Sequence, residues 1–155
     1  MKDAETFAGL TAGRTLDHVL DLHLRLAQSA TQRRFSEIFS DLGITQTQLT
    51  AMLLIAENPG TSQADIGRTL QMDRATVMGI INRLEGRGLI VRGQSAEDRR
   101  RQTLEITEDG VAMLSAAHEL SGELGRWLRE RFSEAEFHML AALLKRIHEV
   151  EIGGV

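Results

Sequence analysis

Two closely spaced helix starts between residues 62 and 88 constrain the fold of this chain more than any other feature. Ser62 is followed three residues later by Asp65, and Asp73 precedes a second periodic segment, with only residues 71–73 as a link. Side-chain oxygens of serine and aspartate cap the free N–H groups of a first helical turn. Because two short helices joined this tightly pack across one another, the segment predicts a helix-turn-helix.

The second helix of this pair divides into an apolar face and a polar face. Val77, Ile80, Ile81 and Leu84 recur at helical spacing and are predicted to be buried, and Gly88 follows where a left-handed residue ends a helix. The second helix of a helix-turn-helix enters the major groove of DNA. The residues expected on its DNA-facing side are Arg74, Ala75, Thr76, Met78, Gly79, Asn82 and Arg83.

The chemistry of these side chains suits contacts with base edges and phosphates. The side chain of Arg74 can hydrogen-bond to guanine, and that of Asn82 can hydrogen-bond to adenine or to a phosphate. Thr76 can hydrogen-bond to a base edge or to the DNA backbone. Met78 matches the methyl group of thymine. Gly79 lies in mid-helix, where glycine costs about 1 kcal/mol relative to alanine. Either a close approach to DNA or a tight contact inside the protein would explain it.

A hairpin is predicted after this helix. Residues 89–92 and 103–106 have strand character, Leu104 and Ile106 alternate with polar neighbours, and residues 93–101 between them are polar. Its tip carries Asp98, Arg99, Arg100 and Arg101. Adjacent guanidinium groups repel one another unless an anion joins them, and the minor groove provides one. Asp98 could hold an arginine in a fixed orientation, or these pairs could merely stiffen the hairpin.

Charge is concentrated around the same hairpin. The formal net charge of the chain is −4, yet residues 83–101 contain six arginines and three acidic residues. That strip carries +3, so the remainder carries −7. Because charges are screened over about 8–10 Å at physiological salt, the strip can attract phosphate within an acidic chain. The alternative is a solvated charged loop.

Long amphipathic helices are predicted on both sides of this module. One spans about residues 15–39, and two more begin at Thr107 and Ser133. Helices of about 20 residues (~30 Å) leave apolar surface that a second copy can cover. The seam residues expected at that contact are Leu120, Leu124, Trp127, Leu140 and Leu144. A homodimer would present two DNA-recognition helices to a pseudo-palindromic operator in double-stranded DNA. The alternative is a monomeric helical bundle that carries one DNA-binding module.

The predicted fold is therefore mainly α with a small β-hairpin wing (α+β), a winged helix-turn-helix flanked by dimerisation helices. We place the boundaries at residues 1–43 for the N-terminal dimerisation helix, 44–110 for the DNA-binding module and 111–155 for the C-terminal dimerisation helices.

Several motifs in register resemble one known family. Residues 95–110, SAEDRRRQTLEITEDG, are similar to the wing signature of MarR-family regulators, an Asp-x-Arg step followed by a strand and a Thr-x-x-Gly helix start. The resemblance continues outside the wing. Residues 58–66 are similar to the segment before the family's recognition helix, residues 73–77 to the start of that helix, and residues 83–90 to its end and the residues that follow. Met78 and Gly79 depart from it, since many relatives place serine and arginine there, so the operator sequence cannot be carried over.

The resemblance implies a homodimer built from the first, fifth and sixth helices. It also implies a regulator, most often a repressor, that releases DNA when a small aromatic or phenolic anion binds. By the same resemblance, Asp98 orients an arginine and Arg100 enters the minor groove.

An effector site is expected where the dimer helices meet the winged module. His18, Asp21 and Arg25 share one face of the first helix. Arg25 or Arg14 could bind a carboxylate and His18 a phenol, although a solvated polar stripe explains the same pattern.

Other classes of function find little support in the sequence. The chain has no cysteine, its histidines are scattered, and no nucleophile–base pair or phosphate-binding glycine loop occurs. We therefore expect no enzyme activity, no metal and no cofactor. Without a long apolar run or signal pattern, a cytoplasmic protein with no membrane partner is expected. The competing functions are a ligand-independent DNA architectural protein, which predicts little sequence preference, and a protein-interaction module, which predicts no salt-dependent DNA affinity.

Overall fold

A computed structural model describes residues 19–94 and 102–149, and these residues form six helices and one β-hairpin. The elements are α1 (Leu20–Ile38), a 3₁₀ turn (Ser40–Leu42), α2 (Gln46–Glu57), α3 (Gln63–Leu70), α4 (Arg74–Gly86), β1 (Ile90–Gln94), β2 (Gln102–Ile106), α5 (Glu108–Arg129) and α6 (Glu134–Glu149). The mainly helical fold with a two-stranded wing is confirmed. Contacts divide the chain into two units, one ending at Glu37 and one beginning at Ile38.

Side-chain caps begin α2 and α3, and the cap of α3 is the one that the sequence predicts at Ser62. The Thr45 hydroxyl accepts from the Gln48 N–H at 3.2 Å while the Gln48 side chain accepts from the Thr45 N–H at 2.9 Å. Ser62 and Asp65 form the same reciprocal capping box at the start of α3. Each box satisfies two N–H groups that a helix leaves free, so the boundaries are set locally.

The core of the second unit lies between α2, α3, α4 and the hairpin. The predicted apolar face of α4 is confirmed, since its four residues are all buried. They pack in one cluster with Met52 and Ile55 of α2, Ile66 of α3, and Ile90 and Leu104 of the strands. Each fully buried aliphatic side chain contributes about 1.5–3 kcal/mol before conformational entropy is counted. The exposed face of α4 is thereby held on a rigid scaffold.

The hairpin is antiparallel and extends further toward its tip than the sequence predicts. Ile90 pairs with Ile106 and Gly93 with Thr103, and pairing continues to Gln94 opposite Gln102. The stretch predicted to be polar loop from residue 93 thus begins as strand. The Leu104 N–H donates to the Thr61 carbonyl at 2.8 Å, which ties β2 to the segment before α3.

The start of α5 packs tightly against Gly88 and Leu89, the residues that connect α4 to β1. The Thr107 side chain caps α5 by accepting from the Gly110 N–H at 3.0 Å and donates to the Gly88 carbonyl at 2.6 Å. A Cβ atom at Gly110 would lie 2.1 Å from the Leu89 carbonyl oxygen. Only glycine fits at this contact, and the Thr-x-x-Gly motif has a structural reason.

The C-terminal helices expose much of their apolar surface. The seam residues of α5, Leu120, Leu124 and Trp127, are half-buried, whereas Leu140 and Leu144 of α6 are exposed. The side chain of Trp127 is covered by the Arg131 guanidinium, 4.1 Å from the ring centre. No residue of α6 is buried in the protomer.

Helix α1 forms most of the described part of the first unit. Phe35 is its buried residue, while Leu20, His23 and Ala27 of the same helix are exposed. Among the described residues, none of the helices combines the length and apolar character that crossing a membrane requires.

Candidate nucleic-acid interface

The exposed face of α4 carries the side chains that the sequence predicts for DNA contact. Gly79 is half-exposed, and the other members of the predicted set are exposed: Arg74, Ala75, Thr76, Met78, Asn82 and Arg83. For Met78, an apolar side chain, the exposed fraction is 46%. Exposure on the outer face of a recognition helix is what contact with a groove requires.

The N-terminus of α4 is held by Asp73. Its carboxylate accepts from the Thr76 N–H at 2.9 Å and from the Thr76 hydroxyl at 2.6 Å. These hydrogen bonds, led by the hydroxyl, lower the pKa of Asp73 below its usual value. The charged cap matches the positive end of the helix dipole and fixes the first turn, which carries Arg74.

The turn between α3 and α4 is tight. Gln71 takes a left-handed conformation with φ of 52°, and the Met72 N–H donates to the Gly67 carbonyl at 2.9 Å. A Cβ atom at Gly67 would lie 3.3 Å from the Met72 oxygen and 3.4 Å from a methyl group of Val77. A small residue at position 67 therefore lets the two helices approach.

Gly79 behaves differently from Gly67. A Cβ atom there would have no neighbour within 4 Å. The interpretation of Gly79 as a tight contact inside the protein is therefore wrong for the protomer as described. Close approach to DNA is the explanation that remains of the two.

An open cleft of about 980 Å³ joins the recognition helix to the base of the wing. Arg74, Met78 and Asn82 of α4 line it together with Arg92 of β1 and Gln102 of β2. The hairpin therefore begins on the face that α4 exposes. The tip residues Asp98, Arg99, Arg100 and Arg101 lie outside the described residues.

Arg92 links the wing to the recognition helix, a contact that the sequence does not signal. Its Nη2 donates to Asn82 Oδ1 at 2.6 Å, and its Nη1 forms an ion pair with the Glu85 carboxylate. The side chain of Arg92 is only 23% exposed. Glu85 and Arg92 belong to different elements, so no helical or strand periodicity relates them.

Arg87 is also engaged within the protein. Its Nη1 donates to the Gly43 carbonyl at 2.7 Å and its Nη2 to the Leu42 carbonyl at 3.0 Å. Two of the six arginines in the basic strip, Arg87 and Arg92, thus have structural partners. Arg83, by contrast, is exposed on the outer face of α4.

Comparison with known proteins decides the family. The model of the MarR family matches residues 42–101. A protein assigned to transcriptional regulation of the hcr operon of Thauera aromatica is 36% identical over 146 residues, covering 94% of this chain and 85% of the relative. The chain belongs to the MarR family.

Solved structures place this MarR-family chain among DNA-bound regulators. A transcriptional repressor, CouR, bound to a 23-mer DNA duplex, is 32% identical with a TM-score of 0.81, and the match covers 85% of this chain and 94% of that chain. CouR from Rhodococcus jostii RHA1 bound to p-coumaroyl-CoA shares the fold at 20% identity and a TM-score of 0.76, covering 85% and 93%. This MarR-family protein is a DNA-binding transcription regulator.

The residues suggested for an effector are only partly described in this MarR-family chain. Arg25 is exposed on α1, and His18 lies outside the described residues. Within residues 19–94 and 102–149, no three histidine or acidic side chains come together as a metal site.

Proposed function

We propose that this protein is a dimeric, sequence-specific repressor whose winged module, residues 44–110, reads a pseudo-palindromic operator and releases it on binding a small anion. Residues 1–43 and 111–155 form the dimerisation helices in this proposal. The observation that carries it is the shared cleft, which brings the exposed side of α4 and the base of the wing to one face. A duplex can then meet both at once.

Recognition is divided between the two grooves. The first turn and outer face of α4 enter the major groove, where Arg74 reaches guanine and Met78 packs on a thymine methyl. Gly79 lets the helix backbone approach the bases, since no neighbour among the described residues lies within 4 Å of a Cβ atom placed there. The wing enters the adjacent minor groove with Arg100, while Asp98 orients one of the neighbouring arginines, as in the family pattern.

Dimerisation is supported by the apolar surface of α6. Its exposed residues include Met139 at 61%, Ile147 at 53% and Leu143 at 44%. Leu140 and Leu144 lie on the same side at a spacing of four. So much exposed apolar surface on one helix is rare on a monomer and is typical of an interface. A two-fold contact through α5 and α6 would bury it and duplicate the reading helix.

The effector is proposed to be a small aromatic or phenolic anion. The same fold accommodates p-coumaroyl-CoA in CouR from Rhodococcus jostii RHA1. Arg25 of α1 offers a cation for a carboxylate, and His18, which lies outside the described residues, is the proposed partner for a phenol.

Selection of genomic fragments by the purified protein at physiological salt tests the proposed function. Enrichment of a short palindrome supports a sequence-specific regulator, and the neighbouring genes would identify its targets. Binding to all fragments alike would instead favour an architectural protein, and absence of salt-dependent binding would favour a protein-interaction module.

Arg74→Ala is expected to weaken operator binding by about 1–3 kcal/mol, because a guanidinium contact with a base edge is lost. Fluorescence anisotropy with the selected operator measures this loss. Arg126→Ala on α5 is the matched control, since it removes an equal charge from an exposed site elsewhere. Equal losses in the two variants would mean that Arg74 acts only through net charge.

Adding p-coumarate, a small phenolic carboxylate, is expected to weaken operator binding, and operator must weaken p-coumarate binding by the same factor. Anisotropy and calorimetry measure the two sides of this linkage, with acetate, a carboxylate without the aromatic ring, as the control. Arg25→Ala should reduce the response while leaving operator affinity without ligand unchanged. A response of full size in that variant would remove Arg25 from the effector site.

A further inference from the structure

We propose that Arg92 is a positioning residue that fixes the side-chain amide of Asn82 as a hydrogen-bond donor, so that Asn82 binds a DNA phosphate and does not read adenine. This assignment rests on the proposed function and specifies how one face of its DNA site works. Three observations support it: the contact between Arg92 and Asn82, the ion pair that holds Arg92, and the cleft that both residues line.

The contact fixes which way the amide points. A guanidinium has only N–H donors, so the atom that faces Arg92 Nη2 at 2.6 Å must be the amide oxygen of Asn82. The Glu85 carboxylate binds the other terminal nitrogen, Nη1, of the same guanidinium. Because the guanidinium is planar and held at two of its nitrogens, it presents one fixed donor to Asn82.

This orientation turns the oxygen that adenine recognition needs toward Arg92. An asparagine that reads adenine accepts from N6 with its oxygen and donates to N7 with its nitrogen. With Oδ1 turned toward Arg92, the Asn82 amide presents its two N–H groups outward. Donors of this kind match phosphate oxygens, which accept hydrogen bonds and carry no sequence information.

The location of Asn82, between the recognition helix and the wing, is a second reason to expect contact with a phosphate. When α4 enters the major groove and the wing enters the adjacent minor groove, the strand that separates the grooves passes between them. The space between α4 and the base of the wing is the cleft of about 980 Å³. Its walls carry further donors, on Gln63 and Arg68 of α3 and on Gln102 of β2. The cleft is therefore suited to a sugar–phosphate strand.

The test compares Asn82→Ala, Arg92→Met and the double variant with wild-type protein on the selected operator. Asn82→Ala should lower affinity about threefold to tenfold, as expected for one hydrogen bond. It should do so equally on the operator and on its single-base variants. Arg92→Met should cause a similar loss, and the double variant should lose little more, because the two residues act through one contact. Arg126→Met removes an equal charge from an exposed site on α5 outside the cleft and is the matched control, expected to stay within twofold.

Neutral methylphosphonate linkages, placed one at a time along the operator, locate the contact. One linkage in each half-site should weaken binding of wild-type protein but not of Asn82→Ala. Thermal unfolding of each variant shows whether the fold is retained.

Two results would overturn the assignment of Asn82 and Arg92. One is an adenine preference at an operator position that Asn82→Ala removes, since Asn82 would then read a base. The other is additive losses for Arg92→Met and Asn82→Ala, since Arg92 would then act independently of Asn82. If wild-type protein selects no operator at all, the proposed function itself fails, and this assignment fails with it.

Discussion

Gly110→Ala is expected to lower the free energy of unfolding by about 3 kcal/mol or more, because the new methyl group has no space. Its carbon would lie 2.1 Å from the Leu89 carbonyl oxygen and 2.8 Å from two carbons of the Ile106 side chain. The oxygen belongs to the backbone, so relief requires that α5 move away from the turn between α4 and β1. Overpacking of this kind costs about 1–3 kcal/mol even where side chains can adjust. Urea denaturation followed by circular dichroism measures the loss.

The matched control is Gly122→Ala, the same change on the same helix. A Cβ atom at Gly122 would have no neighbour within 4 Å. Alanine in a helix interior is favoured over glycine by about 0.5–1 kcal/mol, so this variant should be as stable as wild type or more stable. If Gly110→Ala also retained wild-type stability, α5 could not be seated on the Leu89 carbonyl as described.

The loss should extend to DNA binding. The Thr107 N–H donates to the Leu89 carbonyl at 3.1 Å, and the Thr107 hydroxyl donates to the Gly88 carbonyl. Displacing α5 breaks this junction, which fixes the end of α4 and the first residues of β1. We therefore expect Gly110→Ala to reduce operator affinity even at temperatures where it remains folded.

Replacing both Leu140 and Leu144 by glutamate is expected to split the proposed dimer and to abolish tight operator binding together. Both leucines are exposed in the protomer, at 37% and 40%, so the change should not disrupt the core of one chain. Within a two-fold contact, however, each copy would bury two charges without partners, at a cost of several kcal/mol per ion. Sedimentation velocity measures the association state, and anisotropy measures operator binding.

The control for this pair places two glutamates on the opposite side of α6. His138 and Ala142 are exposed there, about half a helical turn from the leucines. His138→Glu with Ala142→Glu adds the same charge but should leave the dimer intact. A dimer that survives the leucine changes would show that α6 does not form the contact. Monomers that still bind operator tightly would show that two reading helices are not required.

Local structure in this chain follows closely from the sequence, because its causes are local. The caps at Thr45, Ser62, Asp73 and Thr107 each join residues three positions apart. The buried face of α4 follows from helical periodicity, which depends only on spacing along one segment. These features suffice to predict the helix-turn-helix and the exposed set that includes Arg74 and Met78.

The hairpin shows where local reasoning loses accuracy. Strand character predicts its existence, but pairing extends to Gln94 and Gln102, beyond the apolar residues. Backbone hydrogen bonds continue as long as two strands remain side by side, whatever their side chains. The ends of the strands therefore depend on pairing and not on hydrophobic pattern.

The sequence by itself determined the order of the helices, their caps, the buried face of α4 and the resemblance that led to the family. Only the tertiary structure decided what Arg87, Arg92 and Gly110 contact, and that no neighbour among the described residues lies within 4 Å of a Cβ placed at Gly79. Arg87 reaches carbonyls 44 and 45 positions earlier in the chain, and Arg92 reaches back ten positions to Asn82. Both count equally as basic residues in a sequence, because charge is a property of one residue. A partner across the fold exists only after packing has brought distant segments together.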